Sequence, residues 1–448
     1  MGITQRMKMM VSVLGSRRRR PLLADSVAFW GVGAVLATFM FAASAPAPLY
    51  KVYAARWSFS ALTLTTVFAL YALGLLVALL VTGRLSDHLG RRPVILAAIV
   101  LEIAAMACFI GANSTAVLGL ARVVQGLATG CALGPLSAAL AELSADRSPF
   151  LGSVVASAAP PFGLAAGGLG AAVLVQYGPA PLRLVYWLII AALVAGAFVV
   201  ATAREVVERR PGALASLKPV ARVSAEARPT FVTVLPSLAA LWALSGFYLS
   251  LAPGLVGAIE GSSNLLWGGG AVFCMSFSGG LAIVVGRNAQ AHTAMLIGCI
   301  ALFTGVGLTF LAIVAGSVVL FLAGSAIAGS GFGLAFLGNV RAVVSVAAPA
   351  QRGGVLAALY VVSYLMFSIP IVLAGLAEVR FSAHDVALVF SGAVTVLAAT
   401  GVVAHLRDRH PTSPDHALAG QRLCEPARES HGNSREEPTW PPQTGCRT

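Results

Sequence analysis

Apolar runs of membrane-spanning length recur twelve times along the chain, and most are joined by short polar turns. They cover residues 27–50, 61–82, 94–111, 115–139, 153–175, 184–203, 231–256, 264–285, 292–314, 317–339, 354–376 and 384–405. A helix needs ~20 apolar residues to cross the hydrocarbon core of a bilayer. The runs are therefore predicted to be twelve membrane helices, numbered spans 1 to 12. Two segments break the rhythm. Residues 204–230 are polar and basic and divide the spans six and six. Residues 406–448 are rich in Arg, Glu, Pro, Ser and Thr and read as a disordered tail. The expected order is a cytosolic tail over 1–26, a six-helix half over 27–203, a central cytosolic loop over 204–230, a second six-helix half over 231–405 and a cytosolic tail over 406–448. The fold class is an all-α membrane protein built from two six-helix pseudo-repeats.

Composition supports one membrane-embedded body rather than a string of soluble domains. The 448 residues are 58% hydrophobic and 10% charged, whereas soluble domains are about a quarter charged. A net charge of +13 could suggest nucleic acid, but the basic residues lie in loops and tails, so no nucleic-acid partner is expected. Cys108, Cys131, Cys274 and Cys299 fall in apolar runs, and Cys424 and Cys446 in the polar tail. No metal spacing, cofactor motif or disulfide framework appears. The arginines at 17–20, the apolar run after them and Ala43-Ser44-Ala45 imitate a secretory signal with its cleavage site. The length of the run and the eleven spans that follow favour a retained helix.

Topology follows from the basic residues. With the N-terminus inside, the cytosolic connections carry Arg84, Arg91, Arg92, Arg147, Arg204, Arg209, Arg210, Lys218, Arg222, Arg228, Arg287, Arg341 and Arg352. The outer connections carry only Lys51, Arg56, Arg183 and Arg380. Short cytosolic loops accumulate Lys and Arg, so both termini are expected in the cytosol.

The two halves echo each other. Gly126 and Gly130 in span 4 recur as Gly329 and Gly333 in span 10, at an offset of 203. Gly83-Arg84 after span 2 recurs as Gly286-Arg287 after span 8, and Pro48 near the end of span 1 is echoed by Pro253 in span 7. Repeated halves with a site between them are a transporter pattern.

Between spans 2 and 3 lies "GRLSDHLGRR", residues 83–92. Gly83 permits close approach of a helix end to a neighbour, and Asp87 is expected at the start of span 3, where a helix N-terminus favours an acid. A plain positive-inside turn explains the arginines but not the glycine–acid–glycine spacing. Here the chain resembles the major facilitator superfamily, whose loop signature G-x-L-x-D-x-x-G-R-[RK] is filled by Gly83, Leu85, Asp87, Gly90, Arg91 and Arg92. A second signature, R-x-x-Q-G in span 4, is filled by Arg122, Gln125 and Gly126. The resemblance spans about residues 25–405. It implies that the loop is a conformational latch, with Asp87 reaching a helix of the other half, helped by Arg91. The later copy, "GRNAQAH", has lost the acid.

Arg122 is expected ~10 Å below the outer surface, seven residues into its helix. Charges at such depth usually face protein or a water-filled cavity, and the resemblance implies a part for Arg122 in proton coupling. Gln125, one turn on, could hold it. Glu102 in span 3 is the other deep charge. It either titrates as a proton carrier or stays protonated and silent. Asp25, Glu260, Glu378 and Asp385 sit at span ends and read as solvated. Gly126, Gly130 and Gly134 form a small-residue ridge that permits close helix packing. The family's antiporter signature G-P-x-x-G-G is not matched by the spacing of Pro160, Pro161, Gly163, Gly167 and Gly168 in span 5, which leaves kinking or packing as their alternative role.

Phe39, Ser44, Trp242, Tyr248 and Asn339 are candidates to line a mostly apolar cavity, each with packing as the plainer reading. The expected function is proton-coupled export of small lipophilic compounds by a secondary transporter of the plasma membrane, with protons, lipid and a small-molecule substrate as partners and a monomeric state. No Walker A pattern or catalytic constellation occurs, so an enzyme is not expected. A facilitator or importer of sugars or metabolites is the first alternative, and a membrane-embedded sensor or enzyme the second.

Overall fold

The computed structural model describes residues 24–144, 149–205, 210–218, 221–348 and 351–407. The arginine run at 17–20, Arg147, Arg209, Cys424, Cys446 and the expected C-terminal tail beyond residue 407 lie outside the described residues. Twelve helices among those described are long and apolar enough to cross a membrane: Asp25–Trp57, Ala61–Thr82, Arg91–Ile110, Thr115–Ser144, Leu151–Tyr177, Leu184–Thr202, Arg228–Ser250, Leu266–Asn288, Ala291–Ala315, Val318–Val346, Arg352–Ala377 and Ala383–Arg407. They are spans 1 to 12. The side holding the turns 58–60, 111–114 and 178–183 is called outer, following the arginine distribution, and the opposite side inner.

Several helices run further than their apolar stretches. Span 4 continues through Ser144 and span 10 through Val346, so Glu142 and Arg341 are helical, not in loops. Span 1 has a break at Ala45, between the segments Asp25–Ser44 and Pro46–Trp57. Span 7 is interrupted at Leu251 and resumes as Ala252–Ile259. Each second segment carries proline in its first turn, where a missing N–H costs the helix least. Membrane helices tolerate such breaks when neighbours satisfy the freed carbonyls. Ser60 and Ser317 start spans 2 and 10 by accepting a hydrogen bond from Thr63 N and Leu320 N, each at 3.3 Å.

Packing repeats with a shift of six spans. In the first half span 4 packs on spans 2 and 3, and span 1 on spans 5 and 6; in the second half span 10 packs on 8 and 9, and span 7 on 11 and 12. The halves meet through span 2 on span 11 and span 5 on span 8. Glycines set the closest approaches. A Cβ at Gly126 or Gly130 would collide with the carbonyl oxygen of Tyr71 or Leu75 in span 2. At Gly329 or Gly333 it would collide with that of Met275 or Gly279 in span 8. The four glycines thus hold equivalent positions in the two halves. Gly134 does not belong with them: a Cβ there would lie 3.9 Å from the Gly83 carbonyl oxygen, an ordinary contact. In span 5, Gly163 and Gly167 press on the backbone of span 1 and Gly168 on Val272 of span 8.

Candidate functional site

The two deepest charges of the first half join one buried network. Arg122, Gln125 and Glu102 are all fully buried. Arg122 Nη1 donates to Gln125 Oε1 at 2.7 Å, and Gln125 Nε2 donates to Glu102 Oε1 at 3.2 Å. The helix break in span 1 supplies the rest. In an unbroken helix the residue-46 N–H would bond the Ala42 carbonyl, but Pro46 has none. The Ala42 oxygen instead accepts from Gln125 Nε2 at 2.9 Å, and that of Ala43 from Arg122 Nη1 at 3.1 Å. These carbonyls sit at a helix C-terminus, whose partial negative charge favours a cation. Beyond the break, Tyr50 accepts from Arg122 Nε at 2.5 Å.

Aromatic rings complete the surroundings of the guanidinium. Its central carbon lies 5.3 to 5.8 Å from the rings of Tyr50, Phe68, Tyr71 and Phe109, within cation–π range. Two polar atoms remain without a hydrogen-bond partner among the described residues, Arg122 Nη2 and Glu102 Oε2. Buried unpartnered polar atoms are rare and costly. The arrangement can hold a charge in the bilayer, and it leaves one carboxylate oxygen open to a proton.

The second half has the same frame without the charges. At the offset of 203, Arg122, Gln125 and Glu102 correspond to Ser325, Ala328 and Gly305. Gly305 packs directly on Ala328, much as Glu102 meets Gln125. Tyr248 occupies the space, its hydroxyl 2.8 Å from Ser325 Oγ and 3.2 Å from Thr309 Oγ1.

The loop over 83–92 is built differently from expectation. Asp87 is not in span 3 but in a separate turn, Ser86–Leu89, ended by Gly90 with φ +94°. Its carboxylate pairs with Arg91 Nη1 at 2.5 Å and is more than half exposed. Among the described residues Asp87 has Arg91, one turn away, as its partner and no helix of the other half. Arg91 also pairs with Glu142 of span 4 at 3.1 Å. The acid that caps span 3 is Glu205, which accepts from the backbone N–H groups of Arg91 and Arg92 at 3.1 and 2.9 Å. Arg92 reaches the Ala201 carbonyl. His88 O accepts from Arg210 N at 2.9 Å. The turn therefore ties spans 3, 4 and 6 to the central loop, which touches the other half where Arg222 N donates to Gly354 O. Gly83 makes no close approach to another helix; the nearest atom to a Cβ there is the Leu79 carbonyl oxygen of its own turn.

The proposed cavity residues are mostly internal. Phe39 lies in the first-half core. Ser44 donates to the Leu164 carbonyl at 2.8 Å, joining spans 1 and 5. Tyr248 is held as described, and Asn339 pairs with Ser237 at 3.0 Å between spans 7 and 10. All four are buried, so none lines an opening. Trp242 differs. It packs against three separate core clusters, and its ring lies 5.3 to 6.0 Å from those of Phe332, Phe336, Tyr364 and Phe367. Its indole N–H has no partner among the described residues. Phe367 also touches Phe68, 5.2 Å away in the first half, so one aromatic contact separates this box from the rings around Arg122.

At the outer end a cavity of about 150 Å³ lies between the halves. Pro48, Tyr50, Lys51 and Leu64 line it from one half, and Pro253, Gly254 and Glu378 from the other. Glu378 is thus not simply solvated. It is partly buried, and that burial pushes its carboxyl above the ordinary value of 4.5. No cluster of three or more His, Cys, Asp or Glu able to hold a metal occurs among the described residues.

The sequence matches the family model described as Major Facilitator Superfamily over residues 27–371. The chain belongs to that superfamily. It is a multi-pass membrane transporter. Its fold is similar to the crystal structure of the human organic anion transporter MFSD10 (TETRAN), with a TM-score of 0.60 and 17% sequence identity, over 85% of this chain and 100% of that one. A search of curated proteins gave no match.

Proposed function

We propose that this transporter exports small lipophilic compounds in exchange for protons, with Glu102 as the proton-binding group and Arg122 as the charge that controls it. The observation that carries this reading is the buried Arg122–Gln125–Glu102 chain, with an unpartnered oxygen on the acid. Intramembrane ionisable residues are expensive and mark ion or proton paths. The frame of the second half shows that the fold can be built without them, so their presence in one half calls for a function. Glu102 titrates in this reading rather than staying silent.

The substrate class rests on the aromatic box. Trp242, Phe332, Phe336, Tyr364 and Phe367 offer ring faces and a single free N–H donor, which suit a lipophilic molecule better than a sugar. The protein acts as a monomer in the plasma membrane, both termini in the cytosol, with substrate, protons and lipid as its partners and no cofactor. The latch of this reading is the turn at Gly83, Asp87, Gly90, Arg91 and Arg92.

The test is transport into inside-out vesicles, with a panel of lipophilic compounds and sugars, with and without an imposed pH gradient. Gradient-driven accumulation of lipophilic compounds that is lost in Glu102→Gln is the expected result. Sugar transport indifferent to the gradient would overturn the proposal.

A further inference from the structure

The outer cavity and the buried ion network share one residue. Tyr50 lines the cavity, and its hydroxyl is the outermost partner of Arg122. The cavity is large enough for several water molecules, and Lys51, exposed on its wall, connects it with the outside. Past Tyr50 the polar atoms follow without interruption: Arg122, then Gln125, then Glu102. The Tyr50 hydroxyl accepts from Arg122, while its own proton has no acceptor among the described residues. One side chain therefore stands between outside water and the acid's network.

We infer that Tyr50 is the outer gate through which protons reach Glu102. The inference rests on the reading of Glu102 as the coupling acid. Arg122 is not itself a relay, because a guanidinium does not give up its proton in proteins. The gate works by position. With the hydroxyl on Nε, the guanidinium is pinned across the way to Glu102. When the hydroxyl turns to a cavity water, the guanidinium is released and water can follow. A hydronium ion from outside then passes its proton to the open Oε2 of Glu102, leaving water and a neutral carboxylic acid.

The titratable and charged groups around this path come from every side. Arg122 and the Tyr71 ring face it from spans 4 and 2. Tyr53 of span 1 and Tyr186 of span 6 are bonded to each other at 3.3 Å. Lys51 and Glu378 stand on the cavity wall. Among these, Tyr50 alone both lines the cavity and bonds Arg122.

Two variants separate a gate from a structural prop. Tyr50→Phe removes the hydroxyl. Gly254→Leu fills the cavity without touching Arg122, since a Cβ at Gly254 meets no atom within 4 Å. The experiment is a pH jump on oriented proteoliposomes of the full chain, reading proton uptake by rate and final extent. Wild type is expected to take up protons from either side. Tyr50→Phe unpins the guanidinium, so its outer-side rate should rise threefold or more. Gly254→Leu, which displaces the cavity water, should lower the outer-side rate tenfold or more. Both should keep the extent of uptake and an inner-side rate within twofold of wild type. Wild-type or slower outer-side rates in Tyr50→Phe would overturn the gate; if that variant does not insert, wild-type rates in Gly254→Leu would do the same. A change of rate from both sides alike would also overturn it, as the mark of a structural role. Undiminished uptake in Glu102→Gln would instead overturn the reading on which the gate rests.

Discussion

Arg122 and Glu102, the two deepest charges of the first half, are joined without touching. Gln125 accepts from one and donates to the other, and no direct ion pair between them lies within 4.0 Å. A direct pair would hold the acid ionised. A neutral amide between them lets the carboxyl change its charge while the network stays connected.

Gln125→Leu should therefore damage coupling more than folding. It leaves Glu102 Oε1 and the Ala42 carbonyl unpartnered, a cost of about 1–3 kcal/mol each at buried sites. The expected outcome is a lowered thermal midpoint in detergent and loss of gradient-driven transport per inserted molecule. Normal transport by the inserted protein would show that the bridge has no part in coupling.

The glycine contacts make a graded prediction. Gly126→Ala and Gly329→Ala each force a methyl group onto a backbone carbonyl and should cost about 1–3 kcal/mol. Gly134→Ala should be close to neutral, having only an ordinary contact to make. Thermal unfolding of the purified variants checks the order, and equal effects at all three positions would refute the assignment of the close approaches.

Asp87→Asn probes the turn over 83–92. Asp87 is more than half exposed, and Arg91 keeps its second partner Glu142, so loss of the pair should change stability by less than about 1 kcal/mol. As a latch it should act on populations instead. A coupling of ~1–3 kcal/mol changes an inward-to-outward ratio about 5- to 150-fold. Turnover should fall at normal expression, and accessibility labelling of a cysteine introduced at Gly254 in the outer cavity should shift. Unchanged turnover and labelling would leave only a charged turn.

Glu378 gives a pH signature. Its carboxyl is raised in the folded protein because partial burial disfavours the charged form. Stability from this group is thus complete below the ordinary carboxylate value of 4.5 and is lost as pH rises through the folded value. Glu378→Gln removes the penalty. The variant should match wild type in acid and become the more stable protein as pH rises above that range. Melting curves across pH decide it, and a gap that widens towards acid would contradict the sign.

Much of this fold was legible in the sequence, because a bilayer forces each span to be long and apolar. Its limits were less so. Apolar counting stops where the bilayer stops, so it ended span 4 at 139 and missed that Glu142 continues the helix to meet Arg91. It also passed over the breaks at Ala45 and Leu251, since a broken apolar run is still an apolar run; Pro46 beside Pro48 was the available sign. Depth along the helices marked Arg122 and Glu102 as the two deep charges, and the turn spacing put Gln125 beside Arg122. The four-ring surround and the role of Tyr50 depend on how spans 1, 2, 3 and 4 face one another, which spacing within one helix does not encode. Glu205 was hidden for a related reason: it caps a helix more than a hundred residues away.

The break in span 1 also bears on how this site could change over time. The Ala42 carbonyl is free to receive Gln125 because residue 46 lacks an N–H. Replacing Pro46 with any other residue would restore a donor and set the main chain in competition with the glutamine for one oxygen. The buried acid's surroundings could then be retuned by a position that touches neither charge. Selection on transport could act through the backbone of span 1, sparing the polar side chains whose loss would abolish it.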